Sequence, residues 1–120
     1  MKKQLFVYGT LKTGCRNHHH LAGQTFLGAA RTVPGFRLFD LGGYPGIAAR
    51  AEDAGGVIGE VWEVDADCLR KLDRFEGVDD GLYRREPIPL QAPFEQRPAD
   101  AYIAARNVAG CREIGSDWRE

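Results

Sequence analysis

Two separate stretches carry residue types and spacings that could do chemistry. The first is Leu5-Phe6-Val7-Tyr8-Gly9-Thr10-Leu11. Leu5 to Tyr8 are β-prone and mostly apolar, too few for a helix of their own. Gly9 breaks the strand. A glycine there permits φ > 0 and lets backbone approach a ligand closely. Thr10 adds a hydroxyl and an N–H. Backbone N–H groups at such a strand exit can form a concave nest for an anion or a developing oxyanion. Local features alone favour a plain first strand and turn. A phosphate-loop version fails on chemistry: Gly9 and Gly14 have the spacing, but Cys15 and Arg16 stand where a lysine and a hydroxyl residue are required.

The second is Glu76, just before Gly77 at the end of a helical pattern. An acid at a helix C-terminus is disfavoured by the helix dipole by about 0.3–1 kcal/mol. That raises its pKa by well under about one unit when exposed, and burial adds to the rise. A general acid/base needs its pKa moved towards operating pH. A lone glutamate is more often a solvated surface residue.

Other candidates fare worse. His18, His19 and His20 are adjacent, so their side chains diverge on a helix or a strand, and no other histidine exists to complete a metal site. Metal is therefore not expected. Ser116 is the only serine and lacks a nucleophile elbow. Cys15 lies near the histidines, which leaves a Cys–His pair open. The three cysteines match no zinc or redox spacing.

The elements that must position these groups are short. Fifteen glycines and six prolines fall between β-like runs, as in a mostly β fold rich in turns. Strands are expected over residues 5–8, 25–33, 36–41, 47–50, 57–64, 82–90 and 99–105. Pro87 and Pro89 mark the sixth as an edge or a bulge. A helical turn is expected near His18 to Leu21. One main helix is predicted from an Asp65 or Asp67 cap to Phe75, with Cys68, Leu72 and Phe75 on its apolar face and Arg70, Lys71, Asp73 and Arg74 on the other. Gly77 ends it. The tail is polar, anchored by Trp118. This gives an α+β class, six to seven strands with one helix, in a sheet able to curl into a barrel. The 120 residues suit a single domain spanning 1–120 with a real core. Net charge is −1 with no basic tract, so neither nucleic acid nor a membrane surface is indicated. No apolar run reaches signal-peptide or spanning length, so the expected location is the cytoplasm.

Taken together, the Tyr8-Gly9-Thr10-Leu11 loop, Phe75-Glu76-Gly77 and Tyr83 stand in the order of the γ-glutamylcyclotransferase-like (AIG2-like) family, which this sequence resembles. Asn17-His18, Tyr44-Pro45, Gly59-Glu60-Val61 and Ser116-Asp117-Trp118 also look like family features, so the likeness covers nearly the whole chain. The Thr10 form and small size are most similar to the γ-glutamylamine cyclotransferase branch and its bacterial relatives. The resemblance implies a small, mostly antiparallel, barrel-like sheet with helices at its side. It implies Glu76 as the catalytic acid/base in a cavity over the Tyr8-to-Leu11 loop, with Tyr8 and Tyr83 lining it and orienting Glu76 by hydrogen bonds. The substrate expected is a small γ-glutamyl amide, cyclised to 5-oxoproline without a metal or organic cofactor. The leaving side is expected to be lined by residues 36–45 and the tail. A non-catalytic ligand-binding member of the same fold is the alternative.

Overall fold

The structure, a computed structural model, describes residues 2–96 and 98–120. The first strand β1 (Lys2–Val7) is built from a run whose alternate side chains serve opposite faces. Leu5 and Val7 enter one core cluster and Phe6 the other, joined there by Tyr8 beyond the strand's end. Burial on both faces explains why the half of this strand from Leu5 to Val7 is continuously apolar rather than alternating, while Lys2 and Lys3 at its start are exposed. It lies inside the sheet, antiparallel to β5 (Ile58–Asp65) and parallel to β7 (Ala99–Ala104).

The remaining strands are β2 (Thr25–Arg31), β3 (Phe36–Asp40), β4 (Pro45–Ala49), β6 (Tyr83–Ile88) and β8 (Glu113–Gly115). The sheet runs β2-β5-β1-β7-β4-β3-β8, with β6 hydrogen-bonded to β7 beside that path. It has eight strands and does not close. Most pairs are antiparallel, but β7 runs parallel to both β1 and β4, so the sheet is mixed. The strand beyond the six or seven expected is β8. It has three residues, too few for period-2 alternation to show. Among the described residues, strand β6 pairs only with β7, which is how it tolerates Pro87.

The single α-helix among the described residues, α1 (Ala66–Phe75), is capped by Asp65, whose carboxylate accepts the N–H of Cys68 at 2.7 Å. Cys68 and Leu72 are buried against β1 and β5. Full burial of Leu72 is worth about 1.5–3 kcal/mol. Two residues depart from the expected faces. Phe75 is 44% exposed rather than core, and Asp73 turns inward to bond Arg85 and Tyr102. The helix stops in a Schellman arrangement: Gly77 at φ +67° donates to the Arg74 carbonyl, and Val78 donates to that of Asp73. A 3₁₀ turn covers His18–Leu21, as expected. Among the described residues, no helix is long and apolar enough to cross a membrane.

Candidate active site

The exit of β1 becomes a tight loop because Gly9 accepts, through its carbonyl, the N–H of Lys12 at 3.0 Å. Gly9 does not take a positive φ. Glycine is required for a different reason: a Cβ there would lie 2.5 Å from Pro45 Cγ. The loop is tied down from three directions. Asn17 donates its backbone N–H to the Thr10 carbonyl (2.9 Å) and its side-chain amide to the Thr10 hydroxyl (3.0 Å). His18 Nδ1 lies 2.9 Å from the Leu11 carbonyl. Lys12 donates to Asp117 at 3.0 Å and to the Trp118 carbonyl at 2.6 Å, so the tail straps the loop from outside. Among the described residues, the N–H groups of Gly9, Thr10 and Leu11 have no protein acceptor.

Glu76 occupies the C-cap of α1, its own N–H bonded to the Leu72 carbonyl at 2.8 Å. Its backbone is therefore fixed by the Schellman turn while its side chain is left to the environment. Glu76 is half-buried, and burial raises its carboxyl to about 7. Among the described residues, its carboxylate receives no hydrogen bond. One cavity of about 240 Å³ is lined by Tyr8, Gly9, Thr10 and Leu11 on one side and by Glu76 and Tyr83 on the other. The two stretches that the sequence keeps far apart thus share one space.

The tyrosines are committed elsewhere than expected. Tyr8 donates to the Tyr102 carbonyl and accepts the Ile47 N–H at 3.2 Å. Tyr83 donates to the Pro45 carbonyl at 2.7 Å. Neither hydroxyl bonds Glu76. Backbone carbonyls that β4 and β7 present to the cavity capture both hydroxyls first. Burial holds both phenols above their ordinary range, with the Glu76 charge adding to the rise, so both stay protonated.

The lining extends beyond the six site residues expected from the sequence: Phe75, Leu82 and Tyr102 join it, and Tyr44 and Pro45 come from the 36–45 stretch expected at the leaving side. Phe75 and Tyr44 stand inside quoted motifs, Phe75-Glu76-Gly77 and Tyr44-Pro45, which is the available signal. Tyr102 had none. It sits on β7 with its carbonyl on Tyr8 and its hydroxyl on Asp73, 2.8 Å away. Arg85 completes this lattice with a fork to Asp73 (2.8 and 3.2 Å) and a third bond to Asp100 (2.6 Å). Loop, sheet and helix end are thereby connected within one network. The tail does not line this cavity; Asp117, Trp118, Arg119 and Glu120 border a second depression beyond Lys12.

The remaining candidates disperse. His18 rests edge-on against Trp62 (5.2 Å between centroids), and His20 stacks on Phe75 (4.2 Å). Among the described residues, Cys15 makes no hydrogen bond to a histidine side chain, and burial with the nearby Glu120 raises its thiol, opposite to what a nucleophile needs. Among the described residues, no group of three or more potential ligands is placed to hold a metal ion.

Known proteins resemble this chain in sequence and in fold. The family model described as "Gamma-glutamyl cyclotransferase, AIG2-like" matches residues 5–120. A Vibrio cholerae protein, named provisionally as a gamma-glutamylcyclotransferase, is 43% identical over 94 residues, covering 78% of this chain and 76% of its own. The gamma-glutamylaminecyclotransferase of Bos taurus is 34% identical over 106 residues, covering 82% of this chain and 62% of its own. The chain spans 42% of a Bacillus subtilis relative and 59% of a Drosophila melanogaster one. The crystal structure of a mouse AIG2-like protein superposes with a TM-score of 0.79 at 28% identity, over 96% of this chain and 87% of that one. The chain belongs to the gamma-glutamyl cyclotransferase, AIG2-like family.

Proposed function

We propose that the protein is a γ-glutamyl cyclotransferase that converts a small γ-glutamyl amide to 5-oxoproline and a free amine, with Glu76 as acid and base. The observation that carries this reading is that one cavity is lined both by Glu76, an unbonded carboxyl raised to about 7, and by Gly9, Thr10 and Leu11, whose backbone N–H groups have no protein acceptor among the described residues. A γ-glutamyl amide brings its own nucleophile, the α-amine, so the protein gains most by holding the chain folded with amine and γ-carbonyl in contact.

The proton count sets the demand on Glu76. The α-nitrogen passes from ammonium to lactam N–H and gives up two protons. The leaving nitrogen takes up one to depart as an amine and a second once in water. Glu76 as carboxylate accepts the first proton, which frees the α-amine lone pair. The amine then attacks the γ-carbonyl carbon, forming the ring C–N bond and placing charge on the carbonyl oxygen. Protonated Glu76 delivers its proton to the departing nitrogen as the old C–N bond breaks and, ionised again, takes the second proton from the ring nitrogen, which becomes the lactam N–H; that proton then passes to the released amine or to water. A carboxyl near 7 suits both halves of this cycle, and such acid/base work is worth about 10²–10⁴ in rate. The Gly9-to-Leu11 N–H groups suit the α-carboxylate or the oxyanion; one oxyanion donor is worth about 10²–10³. Tyr8 and Tyr83 act as walls that exclude water. The arrangement asks for no cofactor.

The test is release of 5-oxoproline from a panel of γ-glutamyl amides, with Glu76→Gln as comparison. Turnover that Glu76→Gln abolishes is expected. No turnover across the panel sinks the proposal and leaves ligand binding as the function of the cavity.

A further inference from the structure

Hydrophobic side chains on the surface of this protein are not evenly spread. Among the described residues, the large exposed ones are Phe26, Leu27, Tyr44, Phe75 and Leu82. Tyr44, Phe75 and Leu82 all line the Glu76 cavity, at 37%, 44% and 50% exposure. They come from three different elements: the β3–β4 turn, the last residue of α1 and the segment before β6. Each is held in place. The Tyr44 turn is closed by Gly42 and Gly43 donating to Asp40 (2.9 and 2.8 Å) and by Leu41 donating to the Tyr44 carbonyl (2.9 Å). Phe75 is backed by the His20 ring, and Leu82 donates its N–H to the Gly77 carbonyl at 3.1 Å. Apolar surface gathered on one rim and fixed from three sides marks a ligand contact.

The less exposed part of the same lining, which we take as the floor, includes Glu76 and the Gly9-to-Leu11 loop, whose N–H groups have no protein acceptor among the described residues. A γ-glutamyl amide has this polarity, a charged glutamyl head and a variable leaving end. With the head at the floor, the leaving end emerges at the rim. The charges there are few. Besides Glu76, the charged lining residue is Arg16, whose guanidinium bonds the Gly43 carbonyl at 2.6 Å and lies 3.6 Å from Glu120. Among the described residues, no second carboxylate lines the cavity to receive a cationic leaving amine. Its volume, about 240 Å³, lies below the roughly 300–1,000 Å³ of drug-sized sites, which restricts the leaving group to a small one.

We infer that the Tyr44–Phe75–Leu82 rim selects γ-glutamyl amides whose leaving amine carries a small apolar group, against those whose leaving amine carries a second positive charge. This rests on the cyclotransferase reading of the cavity floor. The experiment compares kcat/KM for the γ-glutamyl amides of isobutylamine, benzylamine and 1,4-diaminobutane. The apolar amides should exceed the diaminobutane amide by about 10-fold or more, the range in which hydrophobic pockets discriminate. Leu82→Ala and, independently, Tyr44→Ala should shrink that ratio about 3–10-fold on the same scale, mainly through KM. Phe26→Ala, outside the cavity, should leave it unchanged. A diaminobutane amide turned over as well as the apolar ones, or a ratio unmoved in both rim variants, overturns the inference. If no amide is turned over, the cyclotransferase reading fails and the rim is read by calorimetry. Glu76→Gln protein should still bind the isobutyl amide more tightly than the diaminobutane amide; equal binding overturns the inference there.

Discussion

Asp73 and Glu76 stand three residues apart at the end of one helix, and the fold gives them opposite surroundings. Asp73 accepts a two-pronged bond from Arg85 and a third from the Tyr102 hydroxyl. Glu76, one turn on, sits in a cavity wall without a partner and is raised to about 7. One carboxylate is saturated with donors and joins the helix end to β6 and β7. The other is deprived of donors and kept available to exchange a proton. The difference lies in what is packed opposite each, since both share the unfavourable helix C-terminus. A rigid, fully bonded acid beside an unbonded one is how a site can keep a reactive group without losing its position.

Breaking the comparison at Glu76 should have the largest effect. Glu76→Gln is expected to lower 5-oxoproline release by about 10²–10⁴ or more, read by steady-state assay. The wild-type kcat/KM should rise with pH through about 7, as the carboxyl ionises into its basic form. The same substitution should stabilise the fold at high pH. A folded-state pKa raised from 4.5 to about 7 means that stability falls as pH rises across that window and stays low above it. The penalty reaches at most about 3 kcal/mol, so Glu76→Gln should melt higher than wild type at pH 8 and alike at pH 4. Equal melting at both would show the carboxyl to be well solvated.

Arg85 comes next. Arg85→Met leaves the half-buried Asp73 and the buried Asp100 without their principal partner, although Lys3 remains 3.5 Å from Asp100. An orphaned buried acceptor costs about 1–3 kcal/mol, and more when charged. Urea melts should show a loss in that range. Arg85→Lys should recover only part, because an ammonium cannot reproduce the fork. Tyr102→Phe removes one hydroxyl bond to Asp73 and should cost about 1 kcal/mol, with a drop in kcat if that bond also holds the helix end over the loop. The smallest effect belongs to Asp67. Its pairs with Arg70 and Lys71 are well exposed, so Asp67→Asn should shift stability by under about 0.5 kcal/mol.

The loop and the rim differ in how far they were legible beforehand. Tyr8-Gly9-Thr10-Leu11 and Phe75-Glu76-Gly77 are contiguous motifs whose breakers and caps act locally, so their types and positions mark a strand exit and a helix end. At Gly9 the sequence suggests a positive φ, but the constraint in the fold is the Pro45 ring, which belongs to β4 and leaves no trace beside Gly9 in the chain. Tyr8 and Tyr83 were expected to bond Glu76. Their actual partners, the Tyr102 and Pro45 carbonyls, are backbone groups that any residue could have supplied. Asp73 looked like a surface acid, because helical periodicity tells which face a residue shares but not which strand arrives opposite it.

By itself, the sequence determined what short-range physics controls: the apolar first strand, the Asp65 cap, the Gly77 stop, the turns, and the family those motifs mark. Tertiary structure alone decided the parallel placement of β7 beside β1 and β4, the capture of both tyrosine hydroxyls, and the contrast between Asp73 and Glu76. Those depend on strand order. Long-range pairing brings together groups whose separation along the chain carries no local signal, and burial, which sets the Glu76 carboxyl near 7, exists only once that pairing has closed the cavity.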